Sequence, residues 1–307
     1  MTEKIGVTVV VTTVERPEKL RRSIKSVINQ QYSPLQLVLV IDGGSKISNK
    51  IADEFTELDL RIINNEVSVG GAQSRNIGIN NAKYEYIALL DDDDEWLSNK
   101  LKKQVQFMDE QKNHQVVSFT SLLTYVRNEN HKYKLPKEKY DGTGNIPNYL
   151  FTQKRFGWNG FIQTSTILST KKIFQAHPFD SQLPKHQDWD WIIRVSELGV
   201  PIVHLDEPLT IYHKNSSNSV AQHPNWQFSE EWIQRYSKYM TKEAIDDFYT
   251  SVINNNISKD AKLTIAEKYR LIHNNEKIYE FRQKLSLAFI RYRIQYIYNM
   301  LKNRKNR

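Results

Sequence analysis

Tyr86-Ile87-Ala88-Leu89-Leu90-Asp91-Asp92-Asp93-Asp94-Glu95-Trp96 constrains the fold more tightly than any other stretch. Five mostly apolar residues run without a break into five carboxylates, and Leu97, Leu101, Val105 and Met108 then recur at helical spacing. A short apolar run of this kind reads as a strand buried on both faces, which implies a parallel sheet covered by helices. Its acidic end is where the strand emerges, and in open α/β sheets ligands sit in the crevice outside the carboxyl ends of the strands. Carboxylates crowded together raise one another's cost of ionisation unless a cation lies close. Their oxygens suit Mg²⁺ or Mn²⁺, which are commonly held by one or two carboxylates plus substrate phosphates. The plainer reading is a solvated first helical turn, where Asp and Glu are favoured. The buried strand ahead of the acids argues against it.

The chain on either side repeats the pattern. Ile5–Val11 is a β-branched strand followed by Thr12-Thr13-Val14-Glu15-Arg16-Pro17, and Pro17 opens a helix with Leu20, Ile24, Val27 and Ile28 on one face. Leu35–Ile41 is a second buried strand closed by Asp42-Gly43-Gly44-Ser45, with a helix expected over Asn49–Leu58. Leu60–Asn64 is a third strand, and Gly70-Gly71-Ala72-Gln73-Ser74-Arg75-Asn76-Ile77-Gly78 turns into a helix. Strand alternating with helix predicts an α/β, doubly wound, mostly parallel sheet.

Further on, Val116–Tyr125 reads as a strand, Asn128–Asn148 as a polar loop, and Gln163–Ser169 as a strand. His186-Gln187-Asp188-Trp189-Asp190-Trp191 opens a helix that Gly199 stops, followed by short strands at Ile202–Leu205 and Leu209–His213. Phe156-Gly157-Trp158-Asn159-Gly160-Phe161 lines a sugar pocket or covers the core; aromatic residues serve both uses. After the polar Asn215–Asn225 the chain reads as helical to its end.

Composition narrows the class. With 39% hydrophobic and 25% charged residues the chain is globular. The lack of cysteine excludes a disulfide framework and any thiolate metal site. No apolar run approaches the length of a membrane span and no signal peptide precedes the first strand, so a cytoplasmic protein is expected. The net charge of +8 lies wholly in Arg282–Arg307, which carries eight basic residues and no acidic one. A balanced main body speaks against nucleic-acid binding and gives the tail a task of its own. At about 100° per residue, Phe281, Leu285, Ala288, Tyr292 and Tyr296 form one apolar face, and Ile290, Ile294, Ile297 and Leu301 a second. One face can be buried on the protein itself. The other, edged by Arg and Lys, fits either the anionic inner face of a membrane, as a peripheral contact, or a second subunit in a homodimer.

Val9–Pro17, Val38–Ser45, Gly70–Asn76, Leu89–Trp96, Thr164–Lys171, Phe179-Asp180, Gln187–Arg194 and Pro208–Tyr212 stand in the order and spacing of the inverting glycosyltransferases of family 2. The chain resembles that family over residues 5–215. The resemblance implies a GT-A domain over residues 1–218, with a donor half at 1–100 and an acceptor half at 101–218, followed by a helical region at 219–307. By position it implies that Thr13, Glu15 and Asp42 contact the uracil and ribose of a UDP-sugar and that Arg75 faces the nucleotide or its diphosphate. Asp91-Asp92-Asp93 matches the family's Asp-X-Asp motif: Asp93 the ligand of Mn²⁺ or Mg²⁺, Asp91 nearer the ribose, Asp92 also on the donor side. Asp188 stands at the catalytic base, and Trp158, Asn159 and Trp189 are candidate acceptor contacts. The implied reaction moves one hexosyl or N-acetylhexosaminyl unit from a nucleotide-sugar to a glycan or lipid-linked acceptor, as in surface-polysaccharide biosynthesis.

The chain departs from the family in three places. The usual Glu-Asp pair reads Gln187-Asp188, and one like charge fewer should hold the base's pKa lower. Pro-Thr-Tyr-Asn reads Thr12-Thr13-Val14-Glu15, which loosens the inference about the donor base. Tyr-Arg-X-His reads Tyr212-His213-Lys214-Asn215, so the histidine comes two positions early and His213 is kept only as a candidate metal or phosphate contact. The Gln-X-X-Arg-Trp run of processive synthases is missing, which favours one sugar per event. A phosphatase of the haloacid dehalogenase type would carry its Asp pair on the first strand; a nucleotidylyltransferase or a Rossmann dehydrogenase would need glycines after that strand. The rival from another class is a catalytically inactive nucleotide-sugar or glycan-binding module, expected to have lost Asp93 or Asp188; both are present.

Overall fold

β-branched residues in sequence commit Val7–Thr13 to extended structure, and they form β1 at the centre of a large sheet. The computed structural model describes residues 5–44, 50, 54–55, 58–111, 114–126, 131–154, 157–158, 160–213, 225–277, 293 and 297. β1 is followed by α1 (Pro17–Ile28), β2 (Leu35–Asp42), β3 (Asp59–Asn65), α2 (Gly71–Asn80) and β4 (Tyr86–Asp91). These four strands run parallel in the order β3-β2-β1-β4. The run Tyr86–Leu90 is buried throughout, as its unbroken apolar character requires.

Two helix layers follow from the alternation of side chains along the strands. Val7, Val9 and Val11 face a core that includes Leu20, Ile24 and Val27 of α1 and Leu101, Val105 and Met108 of α3 (Lys100–Asp109). Each such side chain contributes about 1.5–3 kcal/mol when fully buried. Val10 and Val40 point the other way, against α2, where Gly78 lets the helix backbone close onto the strands.

Beyond β4 the sheet becomes mixed. β8 (Ile167–Thr170) runs antiparallel to both β4 and β6 (Val117–Val126), so β6 regains the direction of β1. β9 (Ile202–Tyr212) pairs parallel with β6, and the two-residue β5 (Glu95–Trp96) closes that side. β7 (His131–Leu135) pairs antiparallel with β6. α4 (Lys171–Ala176) and α5 (Gln187–Glu197) follow β8. The carboxyl ends of β1, β2, β4 and β9 and the amino-terminal approach to β8 therefore share one edge.

The chain divides into two compact units, one of residues 1–143 and 162–217, the other of residues 144–161 and 218–307. The second contains helices at Ile146–Phe151, Trp226–Tyr236, Lys242–Phe248, Asn254–Lys259 and Ile265–Lys277, with a π turn at Tyr249–Ile253. Its core is aromatic: Phe151 meets Phe248 edge-on at 5.0 Å and Trp232 at 6.1 Å. No described helix is long and apolar enough to cross a membrane.

Several elements differ from the sequence expectation. The stretch read as loop, Asn128–Asn148, contains β7 and the start of a capped helix whose Asn145 side chain accepts from the Asn148 amide. His131-Lys132-Tyr133-Lys134-Leu135 hid as a strand because its lysines suit a strand that pairs on one side only. Thr164–Thr166 is a 3₁₀ turn, and the strand begins only at Ile167. The two short final strands are one, β9, whose register shifts around Pro208, where a residue without an N–H is tolerated. The helix expected over Asn49–Leu58 falls largely outside the described residues, and so does the tail beyond Lys277 except Arg293 and Ile297.

Gly78 yields a prediction about packing. Alanine has the better helix propensity by about 1 kcal/mol, yet its Cβ would lie 2.4 Å from Val10 Cγ1 and 3.2 Å from Val40 Cγ2. The clash should win, so Gly78→Ala is expected to lose about 1–3 kcal/mol in urea denaturation.

Candidate active site

Parallel strands end together, and the four successive aspartates begin where β4 ends. Asp91 still belongs to the strand, and the Asp94 amide turns back to bond the Asp91 carbonyl at 3.1 Å. A turn this tight sends the four side chains in different directions.

Asp91 accepts from Arg75 Nη2 at 2.7 Å and from Gln163 Nε2 at 3.0 Å. Asp92 is wholly buried; it accepts from Thr13 Oγ1 at 2.6 Å and from Arg16 Nε at 3.1 Å, with Arg16 Nη2 at 2.5 Å. Burial pushes its pKa up to about 6 against the pull of Arg16 and Thr13. Asp93 lies at the rim, its side chain 16% exposed, with Arg16 Nη1 at 3.1 Å. Asp94 points inward and accepts from Ser165 Oγ at 2.6 Å, Gln163 Nε2 at 2.8 Å and the His213 amide at 3.2 Å. Burial raises its pKa well above the ordinary carboxylate range.

Thr13 and Asp42 stand at the ends of β1 and β2. The Asp42 carboxylate accepts from Asn65 Nδ2, Ser68 Oγ and the amides of Val69 and Gly70, at 2.6–3.2 Å. Burial pushes its pKa up, but these donors outweigh it and the net shift is downward. A carboxylate offers about four lone-pair sites, and here Asn65 at the end of β3 and three donors of the loop entering α2 occupy four of them. Glu15 is exposed beyond the end of β1.

Arg75, on α2, joins the acidic turn to α5. Its Nη1 donates to Gln187 Oε1 at 3.0 Å while its Nη2 holds Asp91. Asp188 follows, half-buried in the first turn of α5, with its Oδ1 accepting the Trp189 amide at 2.9 Å. Burial lifts its pKa to about 6, with Arg75 pulling downward and Asp91 pushing upward. Replacing the usual Glu by Gln187 removes a like charge, but burial outweighs that saving. Trp189 stacks on His186 at 4.8 Å, and His186 enters the helix in the left-handed conformation, φ 64°. Tyr212, at the end of β9, has its phenol pKa raised by burial, with the charges of Asp94, Asp188, Asp93 and Asp91 adding to the rise.

Thr13, Arg75, Asp91, Asp92, Asp93 and Asp188 are thus gathered at one edge. His213 is committed to Glu95, Nε2 to Oε1 at 2.6 Å, with its ring over Tyr125 at 5.6 Å. Trp158 lies on a two-stranded ribbon of the second unit, and Asn159 falls outside the described residues. Arg16, Gln163, Ser165 and Tyr212 complete the edge without having been singled out by the sequence. The one signal for Ser165 was a run of hydroxyls, Thr164-Ser165-Thr166, leading into an apolar strand.

No group of three or more His, Asp or Glu side chains among the described residues is arranged to hold a metal ion. Asp92 and Asp94 point into the protein and Asp91 is shared by Arg75 and Gln163. Asp93, at the rim with Arg16 as its guanidinium partner, is the most accessible of the four to a hard cation that also takes oxygens from a diphosphate.

A mixed, mostly parallel sheet flanked by helices, with ligand-edge residues at its strand ends, is the GT-A-type fold of glycosyltransferases. The chain belongs to glycosyl transferase family 2, whose model matches residues 8–176. It is 26% identical over 253 residues to the amylovoran biosynthesis glycosyltransferase AmsB of Erwinia amylovora, covering 80% of this chain and 81% of the relative. Its fold is similar to that of S. aureus TarS residues 1–349 in complex with UDP-GlcNAc, with a TM-score of 0.66 at 15% identity over 98% of this chain and 91% of TarS 1–349. It is also similar to the mannosyltransferase PcManGT of Pyrobaculum calidifontis in complex with GDP-Man and Mn²⁺, with a TM-score of 0.58 at 12% identity over 98% of this chain and 88% of that one. Asp188 and Tyr212 lie beyond the matched family segment.

Asp94 gives the test of the turn's architecture. Asp94→Ala strands the Ser165 hydroxyl and the His213 amide, at about 1–3 kcal/mol for each buried group left unsatisfied. Urea denaturation should therefore show a loss of about 2–6 kcal/mol, with Asp94→Asn losing less because its shape and one acceptor survive.

Proposed function

We propose that the chain catalyses an inverting, divalent-cation-dependent transfer of a single sugar from a nucleotide-sugar to a hydroxyl of a glycan or lipid-linked acceptor. The observation that carries this reading is the division of labour at one edge. Asp93 stands at the rim, Asp188 is half-buried with a raised pKa, and Arg75 and Asp91 lie between them. A uridine diphosphate donor is the first choice because the TarS neighbour binds UDP-GlcNAc. The kinship with an amylovoran biosynthesis enzyme favours a polysaccharide product.

The step balances with groups of this chain. Asp188 takes the proton of the acceptor hydroxyl as that oxygen attacks the anomeric carbon. The bond from that carbon to the diphosphate breaks, and its electron pair leaves with the nucleoside diphosphate. One displacement inverts the configuration, so a single base suffices where hydrolases need two carboxyl groups. Asp93, seconded by Asp91, would hold Mn²⁺ or Mg²⁺ together with diphosphate oxygens, as the Mn²⁺ in PcManGT suggests. A cation bound there supplies neutralisation of the charge that develops on the leaving group. Arg75 adds a guanidinium suited to phosphate oxygens.

The basic tail supports a peripheral contact with an anionic membrane, where a lipid-linked acceptor would be found. Flotation of the full chain with anionic vesicles, and not with neutral ones, is the expected result. A full chain that ignores both and sediments as a dimer instead would assign the tail to a subunit interface.

Two mutants separate the carboxylate roles. Asp93→Ala should weaken binding of both Mn²⁺ and UDP. Asp188→Asn should bind UDP nearly normally and lose about 10²–10⁴ in turnover, the usual share of a general base. Calorimetric UDP titrations set beside rates decide the matter, and near-wild-type turnover in Asp188→Asn removes that residue from its role.

The raised pKa of Asp188 fixes a pH profile. Only the carboxylate accepts a proton, and with a free-protein pKa of about 6 its population falls as pH drops through that value. kcat/KM should therefore rise with pH and level off above about 6, not near the ordinary Asp value of about 4. Arg75 pulls that pKa downward, so Arg75→Ala should move the acid limb to higher pH. A limb that stays in place would separate Arg75 from the base.

A further inference from the structure

We infer that Arg16 is an internal counter-ion that keeps divalent cations off Asp93 until a diphosphate arrives. The inference rests on the reading of Asp93 as the cation ligand. All three guanidinium nitrogens of Arg16 face carboxylate oxygens: Nε is 3.1 Å from Asp92 Oδ2, Nη2 2.5 Å from Asp92 Oδ1, and Nη1 3.1 Å from Asp93 Oδ2. The planar fork thus spans two successive aspartates, a geometry that an ammonium point charge cannot reproduce. Asp92 is wholly buried and its Oδ2, which meets Arg16 Nε, also accepts from the Thr13 hydroxyl, so the Arg16–Asp92 end of the bridge is the fixed one. Asp93 is partly exposed, and the single Nη1 contact is the one that can give way.

A hard cation approaching Asp93 must either displace Nη1 from Oδ2 or share the carboxylate with it, and in both cases it sits beside a guanidinium that Asp92 retains. Both the competition and the like-charge repulsion weaken binding to the free protein. A diphosphate brings negative charge and further oxygens, relieving the repulsion and completing the coordination. Cation and nucleotide binding are then coupled, and by linkage each strengthens the other by the same factor. Arg22, whose Nη2 donates to the Asp93 carbonyl at 2.7 Å, keeps the residue's backbone in place while its side chain changes partner.

The test is a titration of the full chain with Mn²⁺, free ion being followed by its electron paramagnetic resonance signal, without and with saturating UDP. Arg16→Lys is the main variant because it leaves a cation for the buried Asp92 but cannot bridge to Asp93. It should bind Mn²⁺ more tightly than wild type in the absence of UDP, by about tenfold, within the usual range for coupling between two sites. The gain from adding UDP should shrink correspondingly, while Asp93→Asn should lose Mn²⁺ binding under both conditions. Melting curves confirm that the variants are folded, and the wild type provides a second measurement free of that concern: Mn²⁺ bound as tightly without UDP as with it overturns the inference. So does an Arg16→Lys protein that is folded and binds Mn²⁺ no better than wild type while UDP and Mn²⁺ still bind together, an outcome that leaves the cation-dependent reading intact. If the wild type takes up no Mn²⁺ even with UDP, and binds UDP equally well in a chelator, the cation-dependent reading falls and the role of Arg16 falls with it.

Discussion

Four consecutive carboxylates at the end of a buried strand must be neutralised or desolvated at a cost, and the rest of the ligand edge is arranged around that necessity. Two arginines, one at the residue before α1 and one on α2, take three of the four: Arg16 bridges Asp92 and Asp93, and Arg75 holds Asp91. The fourth, Asp94, has hydroxyl, side-chain amide and backbone amide donors instead. That difference explains why its pKa rises so far: neutral donors soften burial but do not cancel it. The four positions thus grade from a wholly buried structural acid to a rim carboxylate with one weakly committed partner. Of the four, the rim position has the contact that costs least to exchange.

The underside of the turn is held just as firmly. Trp96 donates its indole N–H to the Ser165 carbonyl at 2.7 Å, joining β5 to the segment that also caps Asp94. Lys100 lies fully buried with its Nζ 3.8 Å from the Trp96 ring centre, and burial pulls its pKa well below the usual lysine value. The aromatic face is the favourable contact that the ammonium form finds there. The acidic turn is therefore clamped between a strand, a 3₁₀ turn and an aromatic–lysine pair, and preorganisation of this kind is what a transfer site needs.

The parallel half of the sheet was legible because local pattern and tertiary fate agree there: Val7–Thr13, Leu35–Asp42 and Tyr86–Leu90 are apolar in sequence and buried on both faces. β7 was not, since an edge strand with alternating lysines carries no apolar signal, and β9 was split because Pro208 reads as a boundary when it is only a register shift. At this edge, the residues that belong to short motifs could be named from the sequence, while their hydrogen-bond partners could not. Gln163 and Ser165 reach Asp94 across about seventy positions of chain, a separation at which sequence spacing carries no geometric information. Arg16 stood in plain view next to Thr13 and Glu15, but only the folded turn shows that its fork meets two aspartates.

Gln187 shows how one departure from the family pattern can be compensated. A glutamate there would compete with Asp91 for Arg75, whose fork already spends one nitrogen on each neighbour. The amide accepts the same hydrogen bond without adding a charge, leaving the guanidinium's field undivided between Asp91 and Asp188. Gln187 also donates to the Leu183 carbonyl at 2.8 Å, a bond that a carboxylate could not make. That second bond ties the first turn of α5 to the loop before it. Asp188 therefore has its position set by a neutral neighbour anchored at both ends and its proton affinity set by enclosure. Carboxylate identity and carboxylate strength are fixed by separate parts of the structure.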